Sequence, residues 1–236
     1  MALVTLTTDF GTADGYVGAI KGVILTLAPG TVVVDVAHDV PRHDVAHAAW
    51  VLATSAWMFP LGTIHLCVVD PGVGGARNEI VVAARGHLFV GPDNGVFALV
   101  GDPCEGAWAI TSAAFHRPQP SPTFHGRDVF APAAAALARG LPPHLAGPAT
   151  CSTVSARDTG VIVHVDAYGN LISDLRGAAQ VRIAGRVLDV KRTYEDVAPG
   201  ELVAYVGSAG TIEIAVREGS AASVLGLARG ARVEPS

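Results

Sequence analysis

Charge is scarce in this chain. Asp, Glu, Lys and Arg make up only 16% of its 236 residues, and no lysine–arginine cluster occurs along it. With 16 basic against 21 acidic side chains the formal net charge is -5, which argues against nucleic acid or an anionic membrane as a partner. Cysteine is also scarce. Cys67, Cys104 and Cys151 are odd in number, far apart and without a C-x-x-C pair. That argues against a disulfide framework and reads as buried free thiols in a reducing cytoplasm. No uninterrupted apolar run is long enough to span a bilayer. The opening MALVTLTTDFG enters a strand at once, with no basic region leading into an apolar one, so no signal peptide is expected. Repeats and low-complexity tracts are missing, apart from one alanine run. What the chain has in quantity is apolar residues (50%) and glycine (27). This balance fits a compact, loop-rich globular enzyme with one sizeable core, or one large and one small.

The first half alternates strand-like and helix-like segments. ALVTLTTDF, TVVVDVAHDV and TIHLCVVD read as strands. Between them, DGYVGAIKGVILTLAP carries Val17, Ile20, Val23, Ile24 and Leu27 at helical spacing, and DVAHAAWVLATSAWMF forms a second helix ended by Pro60. NEIVVAARGHLFVGPDNGVFALV predicts two strands about an Arg85-Gly86 turn, then a turn and a short helix. AWAIT predicts a further strand and GRDVFAPAAAALARG an Ala-rich helix. Strand–helix–strand order with continuous apolar strands predicts a mostly parallel sheet flanked by helices on both faces. Near GLPPHLAGPATCST the composition shifts. Beyond it come short strands, Gly-rich turns and no helix, as in a small β-barrel or sandwich. The expected organisation is an α/β domain over 1–145, a linker over 146–158 and a smaller β domain over 159–236.

Several polar residues stand where such a sheet would present them to a ligand. TTDFGTADGYVG puts Asp9 at the end of the first strand and Asp14 near the next helix. VVDPGVGGAR puts Asp70 at the end of the third strand with Arg77 shortly after, and GPDNG adds Asp93 and Asn94. In a parallel sheet these strand ends share the edge where ligands usually bind. Asp14 equally reads as a helix N-cap, and Asp93-Asn94-Gly95 as a plain turn. Asp9 has no capping duty in view. PTFHGRDVFAP adds His125, Arg127 and Asp128 at a helix entry, where Asp128 also reads as a cap. VDAYGNLISD adds Asp166, Tyr168 and Asn170, which also read as a hairpin turn. A rival constellation, HDVPRHDVAH, sets His43 and His47 four apart near His38, Asp39 and Asp44, a spacing that can hold a metal. Pro41 interrupts any helix before His43, so loop and helix-face histidines are the favoured reading.

The ordered set TDFG…DGYVGAIKG, VVDPGVG…R, GPDNG, TFHGRDVFAP, DAYGN and GSAGTIEIAVREGSA resembles the S-adenosyl-L-methionine (SAM) hydroxide adenosyltransferases, or SAM hydrolases, from Thr8 to about Ala222. That family is related to the fluorinases and chlorinases. The resemblance implies a larger N-terminal α/β domain and a smaller C-terminal β-barrel. It also implies a homotrimer with sites at subunit interfaces, and hydrolysis of SAM to adenosine and methionine; with the cytoplasmic location read from the cysteines, the expected enzyme uses no cofactor and no metal. Asp70, Arg77 and His125 match the residues that place and activate the water. Asp9 matches the ribose carboxylate, Asp14 and Asp166 the acids near the methionine ammonium, and Ser208 a serine at the methionine amino-acid end. Asn170 matches the adenine-reading amide, Tyr168 and Tyr194 fall in aromatic positions near the base, and Ser220-Ala221 offers backbone groups to the adenine edge. Halogenases carry Tyr at the position of Asp70. The fluorinase serine falls at Gly126, and a fluorinase arginine falls at Ala209, which leaves the methionine carboxylate without its usual contact. Two other readings stay open, a nucleoside-binding sensor with negligible turnover and a halide-using enzyme; a metal-dependent hydrolase built on His38, His43 and His47 is a third.

Overall fold

The computed structural model describes residues 1–100, 104–150 and 160–236. It is a mixed α/β structure with two sheets, and the chain divides into two compact units, Met1–Ala156 and Arg157–Ser236. Cys151 and most of the expected linker lie outside the described residues.

The first unit runs β1 (Leu3–Thr8), α1 (Tyr16–Leu27), β2 (Val32–Ala37), α2 (Val45–Ser55), β3 (Ile64–Val68), β4 (Glu79–Ala84), β5 (His87–Pro92), β6 (Cys104–Ala109) and α3 (Ala131–Ala138). Its sheet has the order β2-β1-β3-β5-β4-β6. β1 pairs in parallel with β2 and β3, and β3 with β5, whereas β4 is antiparallel to β5 and β6. Side-chain alternation sorts the apolar residues onto two faces. Leu66, Val68 and Val81 join Ile20, Ile24 and Phe130 in one core, under α1 and α3. Cys67, Val69, Ile80 and Val82 join Leu52, Phe89 and Phe97 in the other, under α2. Burial on both faces is why these strands read as unbroken apolar runs rather than alternating ones.

The connections follow local chemistry. Arg85 and Gly86 both take positive φ, as a tight hairpin between β4 and β5 requires. The side chain of Asp44 accepts the His47 N–H at 2.9 Å and caps α2. α1 starts after Gly15 with no side-chain cap, so Asp14 is not the N-cap. The short helix expected after GPDNG is a series of turns over 96–100. β6 begins at Cys104 and ends before Ile110, earlier than AWAIT implied. Cys67 is buried, but Cys104 is exposed at the start of this edge strand, which corrects the expectation that the cysteines are all buried.

The helix expected from Gly126 is interrupted. Gly126–Phe130 is a π-helical turn, and α3 follows it. Pro132 has no N–H to give to the Asp128 carbonyl. That carbonyl instead accepts the Arg117 N–H at 2.8 Å, and the Ala131 N–H reaches back to Gly126. π turns of this kind recur at functional sites.

The second unit contains β7 (Ile162–Val165), β8 (Leu171–Ser173), β9 (Gln180–Ile183), β10 (Arg186–Lys191), β11 (Leu202–Val206), β12 (Ile212–Val216), α4 (Ala221–Leu225) and β13 (Glu234–Pro235). The strand order is β13-β9-β10-β11-β12-β8-β7. The sheet curls, so that a bridge between Val161 and Arg232 brings its two ends together around one core of Ile162, Leu171, Val181, Ile214 and Val233. The helix α4 was not expected. Its cap is legible in hindsight: Ser220 accepts the Ser223 N–H at 3.2 Å, and Gly226 ends the helix with φ 64°.

Candidate active site

β1, β3 and β5 are linked by parallel pairing, so their C-terminal ends fall on one edge of the sheet. Asp9 and Asp93 follow the ends of β1 and β5 directly, and Asp70 follows that of β3 after Val69. β4 runs the other way, so its first residue, Glu79, arrives at the same edge. Asn94 donates to the Val69 carbonyl at 2.9 Å and steadies the backbone next to Asp70.

The loop after β3 returns Arg77 onto Asp70. Arg77 Nε donates to Asp70 Oδ1 at 3.0 Å and Nη2 to Oδ2, a two-pronged contact. Arg77 Nη1 donates to Glu79 Oε1 at 2.7 Å. The same loop turns at Gly74, with φ 74°, where a Cβ would lie 2.4 Å from the Pro122 carbonyl. Only glycine allows that approach, and it brings the segment carrying His125 against the loop carrying Arg77. His125 Nδ1 then sits 3.0 Å from Arg77 Nη2 and 3.0 Å from Glu79 Oε1. A bare Nδ1 accepts from the guanidinium, and a protonated one donates to the carboxylate. The four side chains are mostly shielded, at 5% exposure for Asp70, 10% for Arg77, 12% for His125 and 25% for Glu79. The Phe130 ring lies 5.6 Å from Arg77 Cζ. Burial works against the Arg77 charge, but hydrogen bonds and charge from Asp70 and Glu79 outweigh it and raise its pKa.

Asp70 and His125 line a cleft of about 440 Å³ together with Asp9, Asp14, Arg42 and His43. Phe10, Tyr16 and Phe124 form an apolar wall, with ring centroids 5.3 to 6.1 Å apart in edge-on contact. Asp9 accepts the His43 N–H on Oδ2 at 2.8 Å, which ties the 41–44 turn to the cleft floor and leaves Oδ1 for a ligand. His43 sits at φ 63° in that turn. Asp128 is anchored elsewhere. It is held by Arg127, Arg117 and the Ser121 N–H, and these partners, Arg127 first, draw its pKa down to about 2. It braces the His125 segment and does not line the cleft.

In the second unit, Asp166 accepts the backbone N–H groups of Tyr168 and Asn170 and the Asn170 side-chain amide, each at 2.9 Å. The hairpin-turn reading of DAYGN is therefore realised. Gly169 of that turn packs on Ser220, and its carbonyl accepts the Ala222 N–H at 3.0 Å, so Asp166, Tyr168, Asn170, Ser220 and Ala221 stand together. Tyr168 and Tyr194 are exposed, and Tyr194 meets the Tyr205 ring at 6.5 Å. Ser208 is exposed in the turn between β11 and β12. Arg176 donates to the Ala209 carbonyl at 3.1 Å, so a guanidinium borders this turn although position 209 carries none.

The histidine-rich rival does not assemble. His38 binds Thr8 at 2.9 Å and Asp35 at 3.0 Å, His47 packs on Trp50, and His43 faces the cleft. Among the described residues no group of three or more His, Cys, Asp or Glu is placed to hold a metal.

Residues 4–147 match the SAM hydroxide adenosyltransferase N-terminal domain, and residues 160–234 match the C-terminal domain of the same family. The chain belongs to the SAM hydroxide adenosyltransferase family. A Thermus thermophilus protein named (R)-S-adenosyl-L-methionine hydrolase is 42% identical over 245 residues, covering 94% of each chain. A Salinispora tropica protein of the same name is 41% identical, covering 98% of this chain and 96% of its own. A solved structure of an uncharacterized conserved protein from Thermotoga maritima superposes with a TM-score of 0.87 at 33% identity, over 98% of both chains. Asp70, Arg77, His125, Asp9 and Asp14 stand here as the candidates expected from the sequence, whereas Glu79, Arg42 and the aromatic wall were not among them. Glu79 had one weak signal, its place at the start of an apolar strand just after Arg77.

Proposed function

We propose that this protein hydrolyses SAM to adenosine and L-methionine. The observation that carries the proposal is the shielded Asp70–Arg77–His125 group on the wall of a cleft that also holds Asp9 and Asp14. The names of relatives over 40% identical along nearly their whole length support it. Water attacks the ribose 5′-carbon in line with the departing sulfur. The C5′–O bond forms as the C5′–S bond breaks, its electron pair returns to sulfur, and one proton is released. The sulfonium is already a good leaving group, so the protein's task is to place the water and stabilise the negative charge gathering on its oxygen. Arg77 stabilises that charge, and Asp70 or His125 takes the proton. Holding the oxygen in line supplies much of the acceleration.

Asp9 takes the ribose hydroxyls, and Asp14 and Asp166 take the methionine ammonium. Ser208 binds the amino-acid end, where Arg176 supplies a cation for the carboxylate in place of one at Ala209. Asn170 reads adenine, Tyr168 and Tyr194 flank the base, and the Ser220-Ala221 backbone meets its edge. The same reading gives a mostly parallel N-terminal sheet over 1–145, a linker over 146–158 and a C-terminal β-barrel over 159–236. It also gives a cytoplasmic homotrimer with sites at subunit interfaces and a reaction that needs no cofactor. Gly126 stands where fluorinase has serine and Asp70 where halogenases have Tyr, and both departures favour water over halide. The test is incubation with SAM, with and without chloride, and chromatography of the products. Adenosine and methionine in equal amounts are expected in both. Dominant 5′-chloroadenosine in chloride, or no turnover with tight binding, would replace the hydrolase by a halogenase or a sensor.

A further inference from the structure

We propose that Glu79 is a positioning residue of the reaction centre: it holds the Nδ1–H of His125 and so leaves Nε2 bare to receive the proton of the attacking water. The proposal rests on the hydrolase reading. Asp70 has both carboxylate oxygens committed to Arg77, so its remaining lone pairs suit it to hold the water rather than to take its proton. His125 lines the cleft and is the other candidate. Its nearest charged neighbour besides Glu79 is the Arg77 guanidinium, 3.0 Å from Nδ1. A proton arriving on His125 beside that cation alone would meet like charge. Glu79 changes the balance. Asp70 and Glu79 together carry two negative charges against one on Arg77, and a proton on His125 brings the group to neutrality. Shielding from solvent strengthens this effect. The carboxylate stands 3.0 Å from Nδ1 and is itself fixed by Arg77 Nη1 at 2.7 Å. As the C5′–O bond forms, the water proton moves to Nε2, the imidazolium is held by Glu79, and the proton then leaves to solvent.

The competing arrangement is specific. If Nδ1 accepts from Arg77 Nη2, then Nε2 carries the hydrogen and His125 is a donor that cannot act as the base at that atom. Nitrogen-15 NMR of histidine-labelled protein at alkaline pH separates the two, with the His125→Asn variant assigning the resonance. Protonated Nδ1 and bare Nε2 are expected in the wild type, and the reverse in Glu79→Ala. In the same variant kcat should fall by at least ~10-fold with KM nearly unchanged, less than the roughly 10²–10⁴-fold lost with a general base itself, and Glu79→Asp should restore part of it. An Nε2–H tautomer in the wild type, or wild-type kcat in Glu79→Ala, would overturn the proposal. The tautomer is read without turnover, so it stands or falls separately from the hydrolase reading.

Discussion

Arg77 is the residue on which the site turns. It spans two carboxylates and an imidazole that come from three separate stretches of chain. Asp70 and Arg77 were legible because they bracket a Pro-Gly turn at the end of a buried strand. Glu79 was not, because its partner His125 is distant in sequence and no spacing rule links them. Asp70→Asn keeps the side-chain size but weakens its hold on Arg77 and on the water. Its single-turnover rate should fall by roughly 10²-fold or more, the cost of a misplaced water, while the substrate dissociation constant stays close to wild type. A variant that lost stability but kept its rate per folded molecule would mark Asp70 as a strand terminator only. Asp9→Ala should weaken substrate binding by ~1.5–3 kcal/mol for each charge-assisted hydrogen bond lost. Calorimetric titration checks this, and an unchanged dissociation constant would take Asp9 out of the site.

The strands and helices that carry these residues were readable from periodicity, since buried strands and amphipathic helices leave unlike patterns. The π turn over Gly126–Phe130 was not, because it depends on a tertiary bond from Arg117 to the Asp128 carbonyl as well as on Pro132. The short helix α4 was missed because five residues hold too little periodicity to register. One element pair carries a titration of its own. β3 and β5 bury His65 and His87 with His65 Nε2 3.3 Å from His87 Nδ1, and Thr5 binds His65 at 2.7 Å. Burial, and then the charge of His87, pulls His65 down to about 3, and burial lowers His87 as well. Below the ordinary value of 6.5 the unfolded chain takes up protons that the folded chain refuses. Stability should therefore be whole above about pH 6.5 and fall as pH drops toward 3. At pH 5 the His65 contribution alone is ~2 kcal/mol. Thermal melts across this range should show the loss, and His65→Gln should show a smaller one. A melting temperature equally steep in both proteins would remove His65 as the cause.

For the molecule as a whole, two units of different character were foreseeable from the change in composition after residue 140. The curl of the second sheet agrees with the small β-barrel or sandwich that its short strands suggested, but its strand order was not legible, because it is set by pairing between residues far apart in sequence, such as Val161 and Arg232. The candidate residues divide between the units, with the reaction group in the first and Asp166, Asn170 and Ser208 in the second. If the protein assembles as a homotrimer, light scattering should give three times the 24.1 kDa chain mass at micromolar concentration. A monomer that retained full activity would contradict sites at subunit interfaces. The central claim, attack of water on the ribose 5′-carbon, is tested most directly by running the reaction in oxygen-18 water and weighing the products by mass spectrometry. One labelled oxygen in adenosine and none in methionine is the predicted result. Unlabelled adenosine, or label in a homoserine product, would contradict it.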